Sequence, residues 1–421
     1  MQTVDDVIAT EIERVEDGKL TTAYEVEDTF YSEVEKVAGK KVSSRSMRVP
    51  LKLRPGGKFG YYDPNNGDLG TGDATRYDKG TLPVAHLKIA IQWTLEVELG
   101  TDGNNQAVID AVRENMADGM DEFRRHSEAQ LMQAGTGVLA TVTSVTTSLG
   151  VDTIICQTDG YGVKLLRFGQ RVSVYNAART VNKTPAGPIA ISFIDYANSI
   201  LKLPATVGIL ATDVILPEGL TGSTPVALYG IPYWSSNSTS GAVMGIDRAT
   251  TPEVVSSKVD GGGGGLAFPM GRLALNKLGD KVGIKNAKKL KPRIWTHPAQ
   301  TAAYEALGNL AMVINKGASK NEALDLYFGD NLSIAGVPIE ESSLWNKKRM
   351  DFILMSLYGR AVMKEPGWHT VAGRKIFELR GPSGGVATSS VSYVTADWQL
   401  YHKNPGANVY IDNLAIPAGY E

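Results

Sequence analysis

One short segment has the residue spacing of a nucleophilic serine. Gly381-Pro382-Ser383-Gly384-Gly385 matches the pattern G-x-S-x-G, in which a serine at a sharp turn between a strand and a helix attacks acyl groups. The residues that follow, Val386 to Val394, are rich in valine, serine and threonine, which is typical of a strand. Because a nucleophile elbow needs a helix at that point, we interpret the segment as a loop.

Two glycine-rich segments imitate phosphate-binding loops. The run from Gly135 to Ala140 resembles a dinucleotide fingerprint, but the pattern around it places a helix before it and a strand after it, the reverse of the order that binds pyrophosphate. The run from Gly261 to Gly265 lacks the Lys-Ser/Thr that follows in a phosphate loop. We predict a helix C-cap at the first segment and a flexible joint at the second.

Metal-ligating residue types are scattered along the chain. Cys156 is the single cysteine, and the histidines have no metal-ligand spacing: His86, His126, His297, His369 and His402. The sequence therefore indicates no catalytic residue, no metal site and no cofactor. One cysteine leaves no intrachain disulfide, which suits a reducing compartment.

The overall composition is that of a globular protein without a targeting segment. Hydrophobic residues make up 43% of the 421 residues and charged residues 21%, with a net charge of −2, so no overall field attracts nucleic acid or membranes. No run of apolar residues is long enough to span a membrane. The first residues lack the basic and apolar regions of a signal peptide.

Charge is distributed unevenly near the start of the chain. Residues 1–38 contain eleven acidic and three basic residues, and residues 39–58 contain seven basic residues and no acidic one. An acidic arm beside a basic segment is arranged for complementary contact between subunits, although two solvated faces that never meet remain an alternative. We predict that three residues of the arm and seven residues of the region at 45–100 contact another subunit: Glu11, Glu16, Phe30, Arg48, Lys52, Arg54, Lys58, Tyr61, Arg76 and Lys79.

A second basic cluster lies in the later part of the sequence. It contains seven basic residues and a single acidic residue, Asp280. The basic residues are Lys277, Lys281, Lys285, Lys288, Lys289, Lys291 and Arg293. Such a cluster can contact nucleic acid electrostatically, but only Trp295 is near enough in sequence for base stacking. We favour a solvated helix face or a subunit contact.

The basic segment near the start reads as a thin two-stranded ribbon. Met47 to Leu53 and Leu87 to Leu95 alternate in the manner of half-buried strands, and a long connection rich in turn-forming residues separates them. A two-stranded ribbon is marginally stable alone, and a long connection in a compact domain usually has a function. We therefore predict that the ribbon packs on a neighbouring copy of the chain.

Helical patterns flank this ribbon. In the arm, apolar residues repeat at helical spacing in two short stretches: Val4, Ile8, Ile12 and Val15, then Val26, Phe30, Val34 and Val37. After the ribbon, a helix is predicted from Asn105 to Ala134, with Gly119 as a bend or a close packing contact and with a charged outer face in solvent.

Strands dominate the rest of the chain. From Val138 to Trp234, short strands at close intervals predict a small β-barrel or sandwich, and an α/β pattern follows the glycine joint. The last two predicted strands, Val391 to Leu400 and Val409 to Ile411, are assigned to the domain of the long helix. The domains are then discontinuous.

The order of these elements resembles the major capsid protein of tailed bacteriophages, the Hong Kong 97-type fold. Arm, ribbon, long helix, β-rich insertion, α/β domain and strand return follow one another as in that family. Local segments add to the resemblance: Leu166 to Val172, Leu228 to Pro232, Gly245 to Arg248 before Pro252, Lys291 to Trp295 leading to Pro298 and Tyr304, Ile334 to Ile339, and Tyr401 to Ala407.

The resemblance implies an α+β capsid fold with discontinuous peripheral and axial domains. Its parts would be an N-terminal arm at 1–44, an extended β-hairpin loop at 45–100, a peripheral domain with a spine helix at 101–150, an inserted β-rich domain at 151–235, a linker at 236–265, an axial α/β domain at 266–385 and a return to the peripheral domain at 386–421.

It also implies a structural function. Copies would form hexamers and pentamers of an icosahedral shell, assembled in the host cytoplasm and enclosing double-stranded DNA held by non-specific contact. The expected partners are a separate scaffolding protein, a portal and a decoration protein, with no membrane contact. Two alternatives stay open: an encapsulin-like nanocompartment shell, and a β-rich hydrolase or carbohydrate-binding protein.

Overall fold

The computed structural model describes residues 29–42, 46–61, 70–94, 105–158, 160–184, 186–204, 208–221, 226–314, 332–380 and 386–420. The predicted first arm helix and the G-x-S-x-G segment lie outside these ranges. Each helix within them is too short or too polar to span a bilayer. The α-helices of the described residues are α1 (Thr29–Glu35), α2 (Asn105–Leu131), α3 (Ile231–Trp234), α4 (Phe268–Val282), α5 (Ile284–Lys289) and α6 (Pro298–Ile314).

The strands of the same ranges are β1 (Gly39–Lys41), β2 (Ser46–Arg54), β3 (Arg76–Pro83), β4 (Ala85–Thr94), β5 (Ala140–Ser148), β6 (Val151–Cys156), β7 (Arg171–Tyr175), β8 (Ile189–Ala190), β9 (Phe193–Asp195), β10 (Ile200–Pro204), β11 (Val214–Pro217), β12 (Ala242–Val243), β13 (Ile246–Asp247), β14 (Ser257–Asp260), β15 (Arg293–Thr296), β16 (Ser333–Ile334), β17 (Val337–Glu341), β18 (Met350–Ile353), β19 (Tyr358–Trp368), β20 (Ile376–Arg380), β21 (Val386–His402) and β22 (Val409–Asp412).

A five-stranded sheet is built around the long strand β21. This strand pairs with β19 and β20 along one edge and with β4 along the other, and β1 joins β19 in parallel. Helix α2 packs on β4 so closely that a Cβ on Gly119 would lie 2.0 Å from Cδ1 of Ile91. Gly119 is therefore a close packing contact, one of its two predicted roles.

The ribbon differs in pairing from the prediction. Strand β2 pairs antiparallel with β3, with Arg48 opposite Thr81 and Lys52 opposite Tyr77. The segment predicted as the second ribbon strand, Leu87 to Leu95, instead contributes most of β4 to the five-stranded sheet. The pattern was correct for a strand, but alternation alone carries no information about its partner.

An antiparallel sheet of seven strands follows α2, in the order β8-β7-β11-β5-β6-β10-β9. Its inner face contributes apolar side chains to the largest core cluster, among them Ile154, Leu201 and Ile215. The β-rich character predicted for Val138 to Trp234 is present, although one apolar segment within it, Val163 to Phe168, forms turns and not a strand.

A six-stranded sheet has the strand order β14-β22-β18-β15-β17-β16, and helices α4, α5 and α6 connect or flank its strands in the chain. Strand β22 lies between β14 and β18 in this sheet, so the prediction that both last strands join the sheet beside the long helix is correct for β21 and wrong for β22. In turn, β19 and β20, from the segment predicted as axial, pair with β21.

The glycine run after β14 is fixed to the body rather than a flexible joint. The amides of Gly261 and Gly263 donate to the carbonyls of Asp412 and Asn413 at 2.8 Å, and Ala415 donates to Gly264 at 2.9 Å. A Cβ on Gly261 would lie 2.8 Å from the carbonyl oxygen of Asn413. The glycines here permit close approach of two chain segments.

Candidate subunit-contact surface

The base of the ribbon packs on its own chain. Val49, Leu51 and Leu82 face inward and are at most 5% exposed, within the same apolar core as α1 and the five-stranded sheet. The amide of Thr81 also donates to the carbonyl of Met244 at 2.8 Å. The expectation that the ribbon finds its surface only on a neighbour is therefore wrong for this half of the ribbon.

Two arginines of the candidate set also hold the ribbon to its own body. Arg54 forms an ion pair with Glu253, and Nη2 of Arg76 lies 3.5 Å from Oγ1 of Thr251. The hydrogen bond from Arg54 lowers the pKa of Glu253 below its usual value. Both arginines therefore contact their own chain, and because both remain exposed, their contact with another subunit stays a prediction.

The end of the ribbon that the structure describes, at 55–61 and 70–75, which we call the tip, is held together by contacts between its two segments. Gly57 donates to the carbonyl of Asp73 at 2.8 Å, and Gly56 donates to Oγ1 of Thr75 at 3.1 Å. A Cβ on Gly56 would lie 2.7 Å from that same carbonyl. Nζ of Lys58 adds an ion pair to Oδ1 of Asp73 at 3.2 Å. These contacts hold residues 56–58 against residues 73–75.

Exposed aromatic side chains cover this tip and the adjacent strand. Phe59 and Tyr61 are 91% and 97% exposed and contact each other edge to face, with ring centroids 5.6 Å apart, and Tyr77 on β3 is 69% exposed. Exposed apolar groups gathered in one place mark interaction surfaces. Tyr61 was a predicted candidate, whereas Phe59 and Tyr77 were missed because they lie among turn-forming residues that carry no periodic pattern.

The outward face of the ribbon is basic. Arg48 and Lys52 on β2 and Lys79 on β3 are exposed and have no ion-pair partner among the described residues. Together with Phe59, Tyr61 and Tyr77 they form one surface, which we call the ribbon surface. Its chemistry, cations interleaved with aromatic rings, suits an acidic protein surface of matching shape.

The described part of the arm is anchored within its own chain. Phe30 is fully buried, with its ring edge-on to Trp295 and Trp345 at 5.0 and 5.2 Å. Arg360 donates to the carbonyls of Glu35 and Val37 at the end of α1. Phe30 was predicted to contact a neighbouring subunit, and this is wrong because its side chain is enclosed by its own core. Glu11 and Glu16 lie outside the described residues.

The polar face of α2 is buried over its last turns, contrary to the prediction of a solvated surface. Glu128 is 0% exposed and accepts hydrogen bonds from the amides of Phe30 and Tyr31 at 3.2 Å and from the hydroxyl of Ser342 at 2.6 Å. One turn earlier, burial acts to raise the pKa of Glu122, but His126 and Arg167 outweigh it and lower that pKa.

The second basic cluster is only partly engaged. Lys277 and Lys281 donate to backbone carbonyls of Lys258 and Val255, and Arg293 lies 3.3 Å from Glu33 and 3.4 Å from Glu340. Lys285, Lys288, Lys289 and Lys291 are exposed.

In the described ranges, no group of three His, Cys, Asp or Glu side chains is arranged to hold a metal ion.

No protein-family model matches the chain, and no curated protein matches it significantly in sequence. Among solved structures, the chain aligns with a chain of the cyanophage A-1(L) capsid asymmetric unit at 13% identity and a TM-score of 0.58. The alignment covers 94% of this chain and 95% of the other.

Two other alignments are weaker. A chain from the capsid of a native GTA particle aligns at 10% identity and a TM-score of 0.46, covering 98% of this chain and 100% of the other. A chain of the holo-SrpI encapsulin complex from Synechococcus elongatus aligns at 10% identity and a TM-score of 0.45, covering 98% and 97%. Of these three alignments, the one with the cyanophage chain is close enough to show a shared fold, and it spans nearly the whole length of both chains.

Proposed function

We propose that this chain is the major capsid protein of a tailed bacteriophage and that its copies form an icosahedral shell. The observation that carries the proposal is the fold shared with a chain of a cyanophage capsid over nearly the full length of both. The ribbon surface adds physical support, because Phe59 and Tyr61 remain more than 90% exposed in a single chain. Enclosing such rings against a neighbour gives a favourable free energy of association.

The structural elements take the following roles in this proposal. Helix α2 is the spine helix, the five-stranded sheet belongs to the peripheral domain, and the six-stranded sheet belongs to the axial domain. The seven-stranded sheet is the inserted β-domain, and β2 with β3 forms the extended loop. The predicted boundaries change accordingly, since β19 and β20 join the peripheral domain and β22 joins the axial domain.

In this proposal, the ribbon surface makes the contacts between copies that assemble the shell. The ribbon of one copy lies over an adjacent copy within hexamers and pentamers, and the shell encloses double-stranded DNA. A separate scaffolding protein and a portal assist assembly in the host cytoplasm. The acidic residues at 1–28, including Glu11 and Glu16, provide a complementary charge for a basic surface on another copy.

Electron microscopy of the purified protein tests the proposal directly. Closed shells that contain nuclease-protected DNA when purified from infected cells are the expected result. Shells that instead enclose an enzyme would support the encapsulin-like alternative. Elution as a stable monomer at all concentrations and ionic strengths, with and without a scaffolding protein, would contradict any shell function.

A charge-reversal variant tests whether the ribbon surface is the contact between copies. The triple variant Arg48→Glu, Lys52→Glu, Lys79→Glu should keep its circular dichroism spectrum and fail to form shells, because exposed charges contribute little to folding but like charges at an interface oppose association. The matched control reverses three exposed lysines of α5: Lys285, Lys288 and Lys289. Loss of shells in both variants would assign the effect to net charge instead of the ribbon surface.

A further inference from the structure

Three basic side chains from distant segments come together between the seven-stranded and six-stranded sheets. Lys164 lies between β6 and β7, His297 between β15 and α6, and Lys347 between β17 and β18. Nζ of Lys164 is 3.5 Å from Nε2 of His297. The amide of Lys347 donates to the carbonyl of Gly160 at 3.3 Å, so the segment with Lys347 contacts the segment with Lys164.

The hydrogen bonds of His297 determine which ring nitrogen carries the proton. The side chain is 4% exposed, and Nδ1 accepts the amide proton of Ala299 at 3.0 Å. A neutral imidazole has one donor and one acceptor nitrogen, so Nε2 carries the hydrogen. The Nε2–H group therefore faces the ammonium of Lys164, which also has only donors. Two donors cannot hydrogen-bond to each other, and an acceptor beside them would satisfy both.

The same cluster has a strongly positive potential. Burial, followed by the charges of Lys164 and Lys347, lowers the pKa of His297 to about 4, and burial with the charge of Lys164 also lowers the pKa of Lys347. No carboxylate of the described residues forms an ion pair with either lysine. Nζ of Lys347 donates one hydrogen bond, to the carbonyl of Tyr420 at 2.6 Å, and an ammonium group has two further donors. Like charges held together without a counter-charge are unfavourable, and an anion removes that cost.

Helix α6 begins at this cluster and adds to its suitability for an anion. The helix has seventeen residues, and its N-terminus carries a positive partial charge. In its first turn, Oγ1 of Thr301 is buried and has no hydrogen-bond partner among the residues that the structure describes. Gln300 donates to the carbonyls of Lys347 and Ala415 at 2.7 and 2.9 Å, which fixes the Lys347 segment against the start of the helix.

We propose that Lys164, His297 and Lys347 form a binding site for a small tetrahedral oxyanion, a phosphate or sulfate group. Its oxygens accept hydrogen bonds from Nε2 of His297 and from the two ammonium groups, and the ion connects the inserted seven-stranded sheet to the six-stranded sheet. The site is defined by these residues in one chain, so it does not depend on the proposed shell function.

Equilibrium dialysis of the full-length chain with radiolabelled inorganic phosphate tests the site, at constant ionic strength set by chloride. We expect one bound phosphate per chain. Lys164→Gln and His297→Asn should each weaken binding at least ten-fold, the size of effect expected from loss of a charge-assisted hydrogen bond. Asparagine retains a side-chain acceptor for the start of the helix.

The matched control is Lys285→Gln, which removes an exposed lysine of α5 and should leave phosphate binding unchanged. An equal loss in the control, or binding that neither Lys164→Gln nor His297→Asn weakens, would mean an adventitious ion only and would overturn the proposal. Structures of the unsubstituted chain in phosphate and in chloride give a second readout that needs no variant. Tetrahedral density about 3 Å from the three nitrogens is expected, and its absence in phosphate would contradict the site.

Competition with a short DNA duplex identifies the source of the oxyanion. Displacement of the labelled phosphate assigns the site to phosphodiester groups of nucleic acid, and retention of the label assigns it to the free ion. Both outcomes keep the oxyanion chemistry of the three residues.

Discussion

The carboxylate of Glu128 on α2 holds two other segments of the chain, α1 and the loop after β17, by hydrogen bonds. Its two carboxylate oxygens receive the amides of Phe30 and Tyr31 from α1 and the hydroxyl of Ser342 from the loop after β17. These donors and the carboxylate are buried together, and hydrogen bonds to a charged group in such a setting are stronger than neutral ones. The position of α1 is thus fixed by a polar contact as well as by Phe30.

Replacing Glu128 with glutamine tests this contact. The amide group brings two donors to a site that contains donors, so we expect Glu128→Gln to lower the free energy of unfolding by about 2 kcal/mol and to speed proteolysis near α1. Chemical denaturation and limited proteolysis measure the two effects. Glu218→Gln changes an exposed glutamate with a weak ion pair at 3.8 Å and should shift stability by less than about 1 kcal/mol; an equal effect would refute the assigned role.

A second residue-scale prediction concerns acid stability. Burial lowers the pKa of His402 to about 3, compared with about 6.5 in an unfolded chain. Between these values the unfolded chain binds a proton that the folded chain does not, so stability falls as the pH drops below 6.5. We expect His402→Gln to reduce this slope by up to about 1.4 kcal/mol per pH unit.

Denaturation curves between pH 7.5 and pH 4.5 measure this slope. His369→Gln replaces a histidine that is only partly buried and serves as the control variant. Parallel curves for the unsubstituted chain and His402→Gln would contradict the prediction. Because His297 also has a lowered pKa, part of the acid sensitivity should persist in the variant.

At the scale of elements, contact between α2 and β4 sets the geometry of the five-stranded sheet. The helix approaches the strand at Gly119, where no side chain separates the helix backbone from Ile91. Glycine costs about 1 kcal/mol relative to alanine within a helix. The close approach offsets that cost by allowing the apolar face of β4 to be covered.

A pair of substitutions separates these two effects. Gly119→Ala should destabilise the chain by about 1 to 3 kcal/mol, because its Cβ overlaps Ile91 in a packed contact. In an Ile91→Ala background, where the overlapping atoms are absent, the same substitution should stabilise the chain by up to about 1 kcal/mol. Thermal denaturation of the four variants measures both signs, and the same sign in both backgrounds would exclude a packing origin.

Elements were recognised from the sequence more reliably than their partners. The β2 alternation, the long helix and the return of β21 were predicted, because each depends on local periodicity. The pairing of β2 with β3, the place of β22 in the six-stranded sheet and the fixed glycines at 261–264 were not, because each depends on contacts with residues far away in sequence.

The predicted contact residues likewise differ in outcome: their exposure could be predicted from the sequence for some, and their contacts with distant residues could not. Arg48, Lys52, Lys79 and Tyr61 were selected from charge and composition and are exposed. Phe30, Arg54 and Arg76 were selected on the same grounds but contact their own chain. Nothing in a list of charges indicates that Glu253 lies beside Arg54, since the two are 199 residues apart in sequence.

At the scale of the whole molecule, the three larger sheets of the described residues leave Phe59 and Tyr61 at the ribbon tip exposed. The base of the ribbon is fixed by Leu82 and its neighbours, so the tip is held in place by an ordered support. A pre-organised binding element loses less conformational entropy on association than a disordered one. The exposed rings at the tip are therefore suited to association between copies.

Removing the rings tests this whole-molecule property. The double variant Phe59→Ser, Tyr61→Ser should unfold at the same temperature as the unsubstituted chain, because both rings are almost fully exposed, and should need at least a ten-fold higher concentration to assemble, since burial of one such ring contributes about 1.5 to 3 kcal/mol. Light scattering measures assembly. Leu149→Ser, at another fully exposed apolar position, should assemble normally, and normal assembly of the double variant would exclude the tip as a contact.

The place of β21 and β22 in the two mixed sheets has a consequence for synthesis. Each is an interior strand, flanked on both sides by strands that precede it in the chain. A ribosome that stalls before residue 386 releases a product in which each of the two sheets lacks one interior strand. Such a truncated product lacks the apolar side chains that these strands add to the two core clusters, among them Trp398 and Ile411. Both sheets can therefore be completed only after the last strands have been synthesised.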